Sequence, residues 1–331
     1  MRQALCVIVI AAAIGCSSSK EPAAPQPADP AAPSGFLKIS GPFVHEHLAL
    51  YVVEDPGAKS GGEMIILAEG LSSGQVKVTE KKSAEVNELL IENASDKACF
   101  VQAGDVVKGG QQDRAIGRDF IIPPKTAPTP VSSFCVEQSR WSGARAFTAC
   151  IQNAYSKELK LAVQKDANQQ EVWDKVAQSK GVVRRMADLT IAKSSSLNEE
   201  LEDPKIQEKL AASRAALGKI LDNRPHAIGL ITAINGNFST ADLYDDPALF
   251  RKIFPRLLDS ATMEALTVKP EAKPAPAADA ASTFLVEADK GKSKEEEIRK
   301  GLNLRTCENE KGVQFDYSWQ GRRVHRQALL Y

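Results

Sequence analysis

The chain has 331 residues, of which 43% are hydrophobic and 25% charged, and its 42 basic and 42 acidic side chains give a formal net charge of zero. The charges are interspersed along the chain, so the sequence lacks the basic stripe that is typical of nucleic-acid-binding proteins. We therefore predict no nucleic-acid partner.

The N-terminal residues predict an export signal. Arg2 precedes the apolar run "ALCVIVIAAAIG", which is too short to cross a bilayer as a stable helix and has the length of a signal-peptide core. Small residues lead up to Cys16 in "AIGCSS", a pattern that resembles a bacterial lipoprotein signal. We predict that residues 1–15 are a signal peptide and that Cys16 carries the lipid. An ordinary secretory signal with a chance cysteine is the alternative.

Residues 16–35 are dominated by Pro, Ala and Ser, a composition that cannot bury a core and predicts an extended tether. Ser17 follows the cysteine, which resembles the sorting signal of outer-membrane lipoproteins. We expect a protein of the cell envelope that is attached to the membrane through its N-terminal lipid. The expected location is the outer membrane, facing the periplasm or the cell surface.

The remaining cysteines allow several states. Without Cys6 of the signal peptide and the lipidated Cys16, the chain retains Cys99, Cys135, Cys150 and Cys307. In an oxidising compartment these could form two disulfides in three connectivities, or one disulfide with two buried thiols. The sequence does not choose between these states.

The segment from Leu48 to about Glu137 predicts a sheet. Its short apolar runs are rich in β-branched residues and are bounded by Gly, Pro, Asn and Asp, as in antiparallel sheets and sandwiches. The runs are "LALYVVED", "MIILAEG", "VKVTEK", "ELLIEN", "ACFVQAGDVV", "RDFIIPP" and "PVSSFCVE".

Capping residues predict the helices. Asn168 with Glu171 forms a capping-box pattern, and Gly181 marks the expected end of that helix. Asp203-Pro204 and Asp246-Pro247 predict the starts of two more helices.

Pro255 lies inside the last of these helices. Its missing N–H would cost about 3 kcal/mol in a helix interior, so we expect a kink or a new helix start there.

The C-terminal part predicts strands around a low-complexity insert. Asn235-Gly236 lies between two strand-like runs and predicts a type I′ hairpin. Residues 269–282 are the insert, which we expect to be disordered, and residues 291–301 predict a loop or short helix. "LRTCE", "VQFDYSW" and "RRVHRQALLY" predict three strands with turns at Lys311-Gly312 and Gln320-Gly321. The predicted class is α+β, with a β-rich N-terminal half (an antiparallel sheet or sandwich), packed helices and a C-terminal β-meander.

The stretch "KGGQQDRAI" is the first candidate site. Gly109-Gly110 predicts a hairpin tip or bulge with positive φ. Gln112 offers an amide, Asp113 a carboxylate and Arg114 a planar guanidinium that suits phosphate or carboxylate. Strand alternation allows only part of this set to line one pocket unless a bulge intervenes.

A second polar cluster follows the next predicted strand and contains Glu137, Gln138, Arg140 and Trp141. A hairpin between the strands would bring the two clusters together, where they could hold a polar ligand with stacking by the indole. A buried salt-bridge network, such as Arg114 with Glu137, is the structural alternative.

Other chemistry is more weakly indicated. His45 and His47 lie two residues apart on a predicted strand, and His325 could add a third metal ligand, but paired histidines alone are more often exposed to solvent, so we predict no metal site. Cys135 lies in a strand without an adjacent histidine, which favours a core role over a nucleophile. The chain contains no phosphate-binding loop before a helix, no G-x-S-x-G and no H-E-x-x-H.

Several blocks resemble the ARG and Rhodanese-Phosphatase-superfamily-associated Protein domain family, in which ARG denotes ADP-ribosylglycohydrolase. The blocks are "GDVVKGGQQDRAI", "IIPPKTAPTPVSSFCVEQSRW", "QQEVWDKV", "GLITAINGNFSTADLYDDPALFRKIFPRLLDSATMEAL" and "VHRQALL". The similarity runs from about Gly41 to Tyr331 and implies a single domain over residues 36–331. The family has no established activity and is named for companions that process ADP-ribose or phosphoesters, so the resemblance implies a nucleotide-derived ligand.

The resemblance also implies a set of polar site residues: Gln112, Asp113, Arg114, Glu137, Gln138, Arg140, Trp141, Asp242 and His325. The chain departs from the family at Phe254-Pro255 and in the insert at residues 269–282, neither of which touches this set.

Three classes of function follow. The first is binding of a nucleotide-like or sugar-phosphate ligand, recognised by Arg114, Arg140 and Trp141. The second is hydrolysis of such a ligand with Asp113 or Glu137 as general acid or base, because a carboxylate beside arginines can be tuned for that role. The third is a structural or protein-interaction module. The sequence leaves open whether the protein is an enzyme, which cofactor it uses and its oligomeric state.

Overall fold

The computed structural model describes residues 37–81, 87–138, 145–186, 197 and 201–331, without the side chains of residues 145 and 149–153. Its strands are β1 (Lys38–His45), β2 (Leu48–Glu54), β3 (Ile65–Ile66), β4 (Val76–Glu80), β5 (Glu88–Asn93), β6 (Cys99–Val101), β7 (Asp105–Gly110), β8 (Arg114–Ile116), β9 (Phe120–Ile122), β10 (Thr126–Cys135), β11 (Arg145–Asn153), β12 (Ala227–Ile234), β13 (Asn237–Tyr244), β14 (Lys292–Arg299), β15 (Leu302–Asn309), β16 (Gly312–Trp319) and β17 (Arg322–Leu330). Its helices are α1 (Leu67–Ser72), α2 (Lys157–Leu161), a π-helix (Ala162–Asp166), α3 (Gln169–Met186), α4 (Pro204–Leu217), α5 (Pro247–Leu266) and α6 (Ala278–Ala288). The predicted α+β class is confirmed.

The largest sheet has eight strands in the order β1-β2-β12-β13-β17-β16-β15-β14. Each neighbouring pair is antiparallel, and β15, β16 and β17 form the predicted meander. Asn235 and Gly236 have φ of 50° and 73°, which confirms the type I′ hairpin between β12 and β13. Gln320 and Gly321 make the same kind of turn, with φ of 51° and 76°.

The β-rich half forms two further sheets. Six strands pair in the order β11-β7-β8-β10-β5-β4, and three pair in the order β3-β6-β9. Asn168 Oδ1 accepts hydrogen bonds from the backbone of Gln170 and Glu171, which confirms the predicted helix cap at the start of α3 beside this half.

Helix α5 lies between the sheets. It packs on β12 and β13 of the large sheet and also on β11 and β3 of the others, so most of its side chains are buried. The helix continues through Pro255, so the expected new start is not found. Buried Phe254 and Leu257 on either side of the proline hold that turn in the core, and this packing outweighs the local cost of the proline.

Five further local predictions differ from the structure. "MIILAEG" is a strand only at β3 and continues as α1, where Glu69 accepts a hydrogen bond from the Ile66 backbone at 3.2 Å. Helix α3 passes Gly181, a tolerable cost of about 1 kcal/mol, because Val183 is buried beyond it. The turn between β15 and β16 lies one residue earlier than the predicted Lys311-Gly312, since Gly312 already belongs to β16.

The other two concern the low-complexity insert and the charged segment after it. The insert is not disordered: Asn235 hydrogen bonds the backbone of Lys269 and Glu271, and α6 buries Phe284 against the large sheet. The segment predicted as a loop or short helix forms β14, an edge strand whose charged side chains discourage further strand pairing.

No helix among the described residues is long and apolar enough to span a membrane, and no group of three or more metal-ligating side chains is assembled there. Cys99, Cys135 and Cys307 are buried free thiols. The side chain of Cys150 and the whole of Cys16 lie outside the described part of the chain.

Candidate functional site

The turn between β7 and β8 forms a polar corner, defined here as residues 109–114 with Glu80, Cys135 and Glu137. Gly109 and Gly110 have φ of 143° and 55°, which confirms the predicted need for positive φ. A Cβ on Gly109 would lie 2.6 Å from the Ala146 carbonyl oxygen, and one on Gly110 would lie 2.3 Å from the Phe147 ring. The glycines therefore permit close approach as well as the turn.

Several side chains of the corner bond to other members of the corner. Asp113 Oδ1 accepts from the Gly109 N–H at 2.9 Å, and Glu80 Oε1 accepts from the Gln111 N–H at 2.9 Å. The Arg114 guanidinium donates to Gln112 Oε1 at 3.2 Å and lies 3.7 Å from Glu80 Oε1. It also contacts Cys135 Sγ, yet burial still raises the pKa of this thiol to about 11.

Glu137, the first residue of the second predicted cluster, lies beside the first cluster. The Val136 N–H donates to the Asp113 carbonyl at 3.0 Å, and Glu137 Oε2 lies 3.5 Å from the Asp113 backbone nitrogen. Arg114 pairs with Glu80 and not with Glu137, because β4 brings Glu80 to this edge of the sheet.

Exposure separates the members of the predicted set. Gln112, Asp113, Arg114 and Glu137 are buried, whereas Gln138 is exposed. Arg140 and Trp141 lie outside the described residues. A role of these residues in binding or catalysis stays a prediction.

Asp242 and His325 lie elsewhere, in a fully buried cluster. His325 Nδ1 is 2.6 Å from Asp119 Oδ2, and His325 Nε2 is 3.2 Å from Asp242 Oδ1. Burial opposes protonation of the ring, but the two carboxylates outweigh it and raise the pKa of His325 to about 9. At neutral pH the cluster is an imidazolium between two aspartates, which we call the histidine cluster.

Several structural layers position this cluster. Asp242 is on β13 and His325 on β17 of the large sheet, while Asp119 precedes β9 of the smallest sheet. Tyr244 stacks on the imidazole with 4.4 Å between ring centroids. Nearby, Arg256 of α5 pairs with buried Asp105 at 2.5 Å. The sheets and α5 are thus joined by buried charges as well as by apolar packing.

A chain of amides leads away from the cluster. Gln327 Nε2 donates to Asp242 Oδ1 at 2.6 Å, and Gln164 Nε2 donates to Gln327 Oε1 at 2.6 Å. Asp242 and Gln327 are direct partners on β13 and β17, and Phe315 of β16 is the next partner in the row. Cross-strand partners share a face of the sheet, so this row continues from the cluster toward β15 and β14.

An open groove of about 980 Å³ lies over that end of the face. Its floor includes Thr306 and Phe315, and Gln164 of the π-helix forms part of its wall. Its charged lining residues are Arg118, Lys165, Lys292, Lys294, Glu296, Glu308 and Glu310. The candidate functional site is this groove, with the histidine cluster behind it.

Sequence reasoning missed most of these residues. The alternation in "VHRQALL" places His325 and Gln327 on one face, which was a usable signal. Asp119, Gln164 and the groove cations come from segments far apart in the chain and had no local signal.

The sequence model of the ARG and Rhodanese-Phosphatase-superfamily-associated Protein domain (ARPP-1) matches residues 36–329. The chain belongs to this family. Neither the curated proteins nor the solved structures include a significant match. The ARPP-1 match covers the polar corner, the histidine cluster and the groove, and it carries no activity or ligand.

Proposed function

We propose that this ARPP-1 protein is held in the cell envelope by a lipid on Cys16 and binds a small phosphorylated molecule, of the nucleotide-like or sugar-phosphate class, in the groove. The observation that carries the proposal is the lining of a groove of about 980 Å³ by Arg118, Lys165, Lys292 and Lys294. Clefts of this size are typical of small-molecule sites, and guanidinium and ammonium groups are the usual phosphate ligands.

The charges of the groove are only partly neutralised. Arg118 pairs with Glu296 at 2.7 Å and Lys165 with Glu308 at 2.7 Å. Lys292 and Lys294 make no ion pair with any described residue, and both are exposed. A phosphate can therefore join the free ammonium groups directly, or replace Glu296 as the partner of Arg118.

The envelope location rests on residues 1–35. The test is metabolic labelling with palmitate in a bacterial host, followed by membrane fractionation. We expect the wild-type chain to be labelled and membrane-bound, and Cys16→Ala to lose the label. A labelled Cys16→Ala chain would contradict the lipid site.

The binding proposal is tested by thermal unfolding of the full chain with ADP-ribose, nucleotides, sugar phosphates and inorganic phosphate. A ligand at a hundred times its Kd should stabilise the protein by about 2.7 kcal/mol. We expect Arg118→Ala to lose this effect.

Arg305→Ala is the matched control, because Arg305 also makes a 2.7 Å ion pair on the surface but is not among the groove-lining residues. Equal loss in both variants, or no stabilisation by any compound, would contradict the proposal. The second outcome would favour the structural or protein-interaction alternative.

A hydrolase is the second candidate function. It is favoured by the two buried carboxylic acids of the polar corner, Asp113 and Glu137; Glu137 Oε2 lies 3.5 Å from the backbone nitrogen of Asp113. Turnover of a phosphorylated ligand that disappears in Glu137→Gln or Asp113→Asn, with binding retained, would support it. Turnover that survives both substitutions would exclude these carboxylates as the acid or base.

A further inference from the structure

The wall of the groove contains a buried polar atom without a partner. Gln164 is only 7% exposed, and its Oε1 makes no hydrogen bond with any described residue. Buried polar atoms are almost always hydrogen-bonded, so an orphaned one beside a cavity points to a missing ligand group. The residue also lies in a π-helix, a local widening that is frequent at functional sites.

We propose that Gln164 gives the groove a fixed hydrogen-bond acceptor, so that the groove selects phosphorylated ligands that also carry a hydroxyl or amino group. This inference rests on the proposed function of the groove and adds to it the second group that the ligand must offer.

The hydrogen-bond chain fixes the direction of the Gln164 amide. Asp242 is an ionised carboxylate and can only accept, so Gln327 must turn its Nε2 toward it. Gln327 then presents Oε1 to Gln164, which must donate through its own Nε2. The remaining atom, Gln164 Oε1, is left as an acceptor.

His325 fixes the other end of this hydrogen-bond chain, because it keeps Asp242 ionised. Both ring nitrogens face carboxylates, so the protonated ring donates to Asp119 and to Asp242 and holds Asp242 ionised. Reversing the Gln164 amide would require Gln327 to reverse as well and to place an oxygen against the Asp242 carboxylate. The acceptor is therefore set by a buried charge that the ligand does not touch.

The consequence is a preference among phosphorylated compounds. A sugar phosphate can place phosphate near the basic residues and a hydroxyl against Gln164 Oε1. Inorganic phosphate carries no separate hydroxyl or amino group, and a ligand without such a donor leaves the oxygen unpaired. Sites built to bond one polar group discriminate strongly against analogues that lack it.

The test is isothermal titration of the full chain with ribose 5-phosphate and with inorganic phosphate. We expect Gln164→Leu to raise the Kd for ribose 5-phosphate about tenfold or more. The Kd for inorganic phosphate should change by less than about twofold. Gln327→Leu should act in the same direction, although Gln327 is not among the groove-lining residues. The matched control is Gln170→Leu, because Gln170 is an exposed glutamine on α3 outside the groove. This substitution should change the affinity for neither ligand.

The outcomes separate the two proposals. Suppose that both ligands bind the wild type and bind more weakly to Arg118→Ala, but that Gln164→Leu leaves the ratio of their two Kd values unchanged. The acceptor role of Gln164 is then wrong, and the proposal of a phosphate-binding groove stands. If neither these ligands nor any other phosphorylated compound binds the wild type, the groove proposal fails and the inference fails with it. If Gln164→Leu does not fold, Gln164→Asn replaces it, because it withdraws the amide by one methylene. Gln164→Asn must then reduce the preference for ribose 5-phosphate over inorganic phosphate.

Discussion

The polar corner and the histidine cluster both bury charged side chains, but they connect different things. The corner joins neighbouring strands and contains bonds between its own members, such as Asp113 with Gly109 and Arg114 with Gln112. The histidine cluster joins β13, β17 and the segment before β9, and its bonds continue through Gln327 to the groove. Buried charge fixes a local turn in the first case. In the second it links separate layers and orients the buried Gln164 side chain in the wall of the groove.

The two regions also differ in their protonation chemistry. In the corner, burial raises the pKa of Cys135 to about 11 despite the nearby Arg114, so the thiol stays neutral and unreactive at neutral pH. In the cluster, Asp119 and Asp242 raise the pKa of His325 to about 9 despite burial, so the ring stays charged. The cluster should therefore make stability depend on pH from about 6.5 upward, whereas the Cys135 thiol contributes only above its unfolded pKa of about 8.5.

The largest expected effect is the loss of the imidazolium. His325→Leu leaves Asp119 and Asp242 buried without their cation, so we expect it to lower the free energy of unfolding at pH 6 by about 3–5 kcal/mol. Urea unfolding measures this, with His226→Leu as the control because His226 is exposed. The control should stay within about 0.5 kcal/mol of the wild type.

The pH dependence gives this prediction its sign. The folded pKa of His325, about 9, lies above the unfolded value of about 6.5, so the stabilisation is complete below pH 6.5 and is lost as pH rises through 9. The pKa of Asp242 is lowered, against its burial, by His325 and Lys160, so its contribution is lost in acid. The gap between wild type and His325→Leu should therefore narrow toward pH 9. A gap that stays constant from pH 6 to pH 9 would show that the ring is neutral.

The corner should respond to shape more than to pH. Gly110→Ala forces a positive φ and places a methyl group 2.3 Å from the Phe147 ring, so we expect a loss of about 2 kcal/mol or more. Gly321→Ala is the matched control, because Gly321 also has a positive φ, 76°, but open space around its Cβ position. The control should lose only about 1 kcal/mol. Equal losses in the two variants would mean that the close approach to Phe147 is unimportant.

How far the sequence predicts each region follows from the range of its contacts. The corner was predictable in part, because Gly109-Gly110 lies at the turn between β7 and β8, and Glu137 follows β10, which pairs with β8. The pairing of Arg114 with Glu80 was not, since it depends on β4 reaching this edge of the sheet. Capping residues such as Asn168 predicted helix starts well, whereas Gly181 and Pro255 did not end or restart helices that are buried on both sides of them.

The groove was beyond sequence reasoning for the same reason. Gln164 and Gln327 are far apart in the chain, and the acceptor role of Gln164 appears only once Asp242 and His325 fix the amides. The prediction that the low-complexity insert is disordered was wrong, because composition carries no information about the hydrogen bonds between the insert and Asn235. Strand alternation could identify candidates on β17, but their partners came from tertiary structure.

The smallest expected effect sharpens the contrast by testing an acid that is buried without a close cation. Glu264 of α5 is buried, and burial raises its pKa to about 7, although Lys160 and the hydroxyl of Ser239 act in the opposite direction. Because the folded pKa is above the unfolded value of about 4.3, folding favours the protonated acid, and stability is lost as pH rises from 4.3 through 7. Glu264→Gln keeps an acceptor for Ser239 and stays neutral. It should therefore be more stable than wild type by about 1–3 kcal/mol at pH 8 and nearly equal to it at pH 4.5.

The control for this substitution is Glu295→Gln on the exposed edge strand, which should change stability by less than about 0.5 kcal/mol at either pH. A Glu264→Gln chain that is less stable than wild type at pH 8 would show that the ionised acid is used, held by Lys160 as the histidine cluster holds its aspartates. A gain confined to high pH would instead place Glu264 in a third class of buried charge, one that is a cost to the fold, whereas the corner fixes a turn and the cluster joins layers.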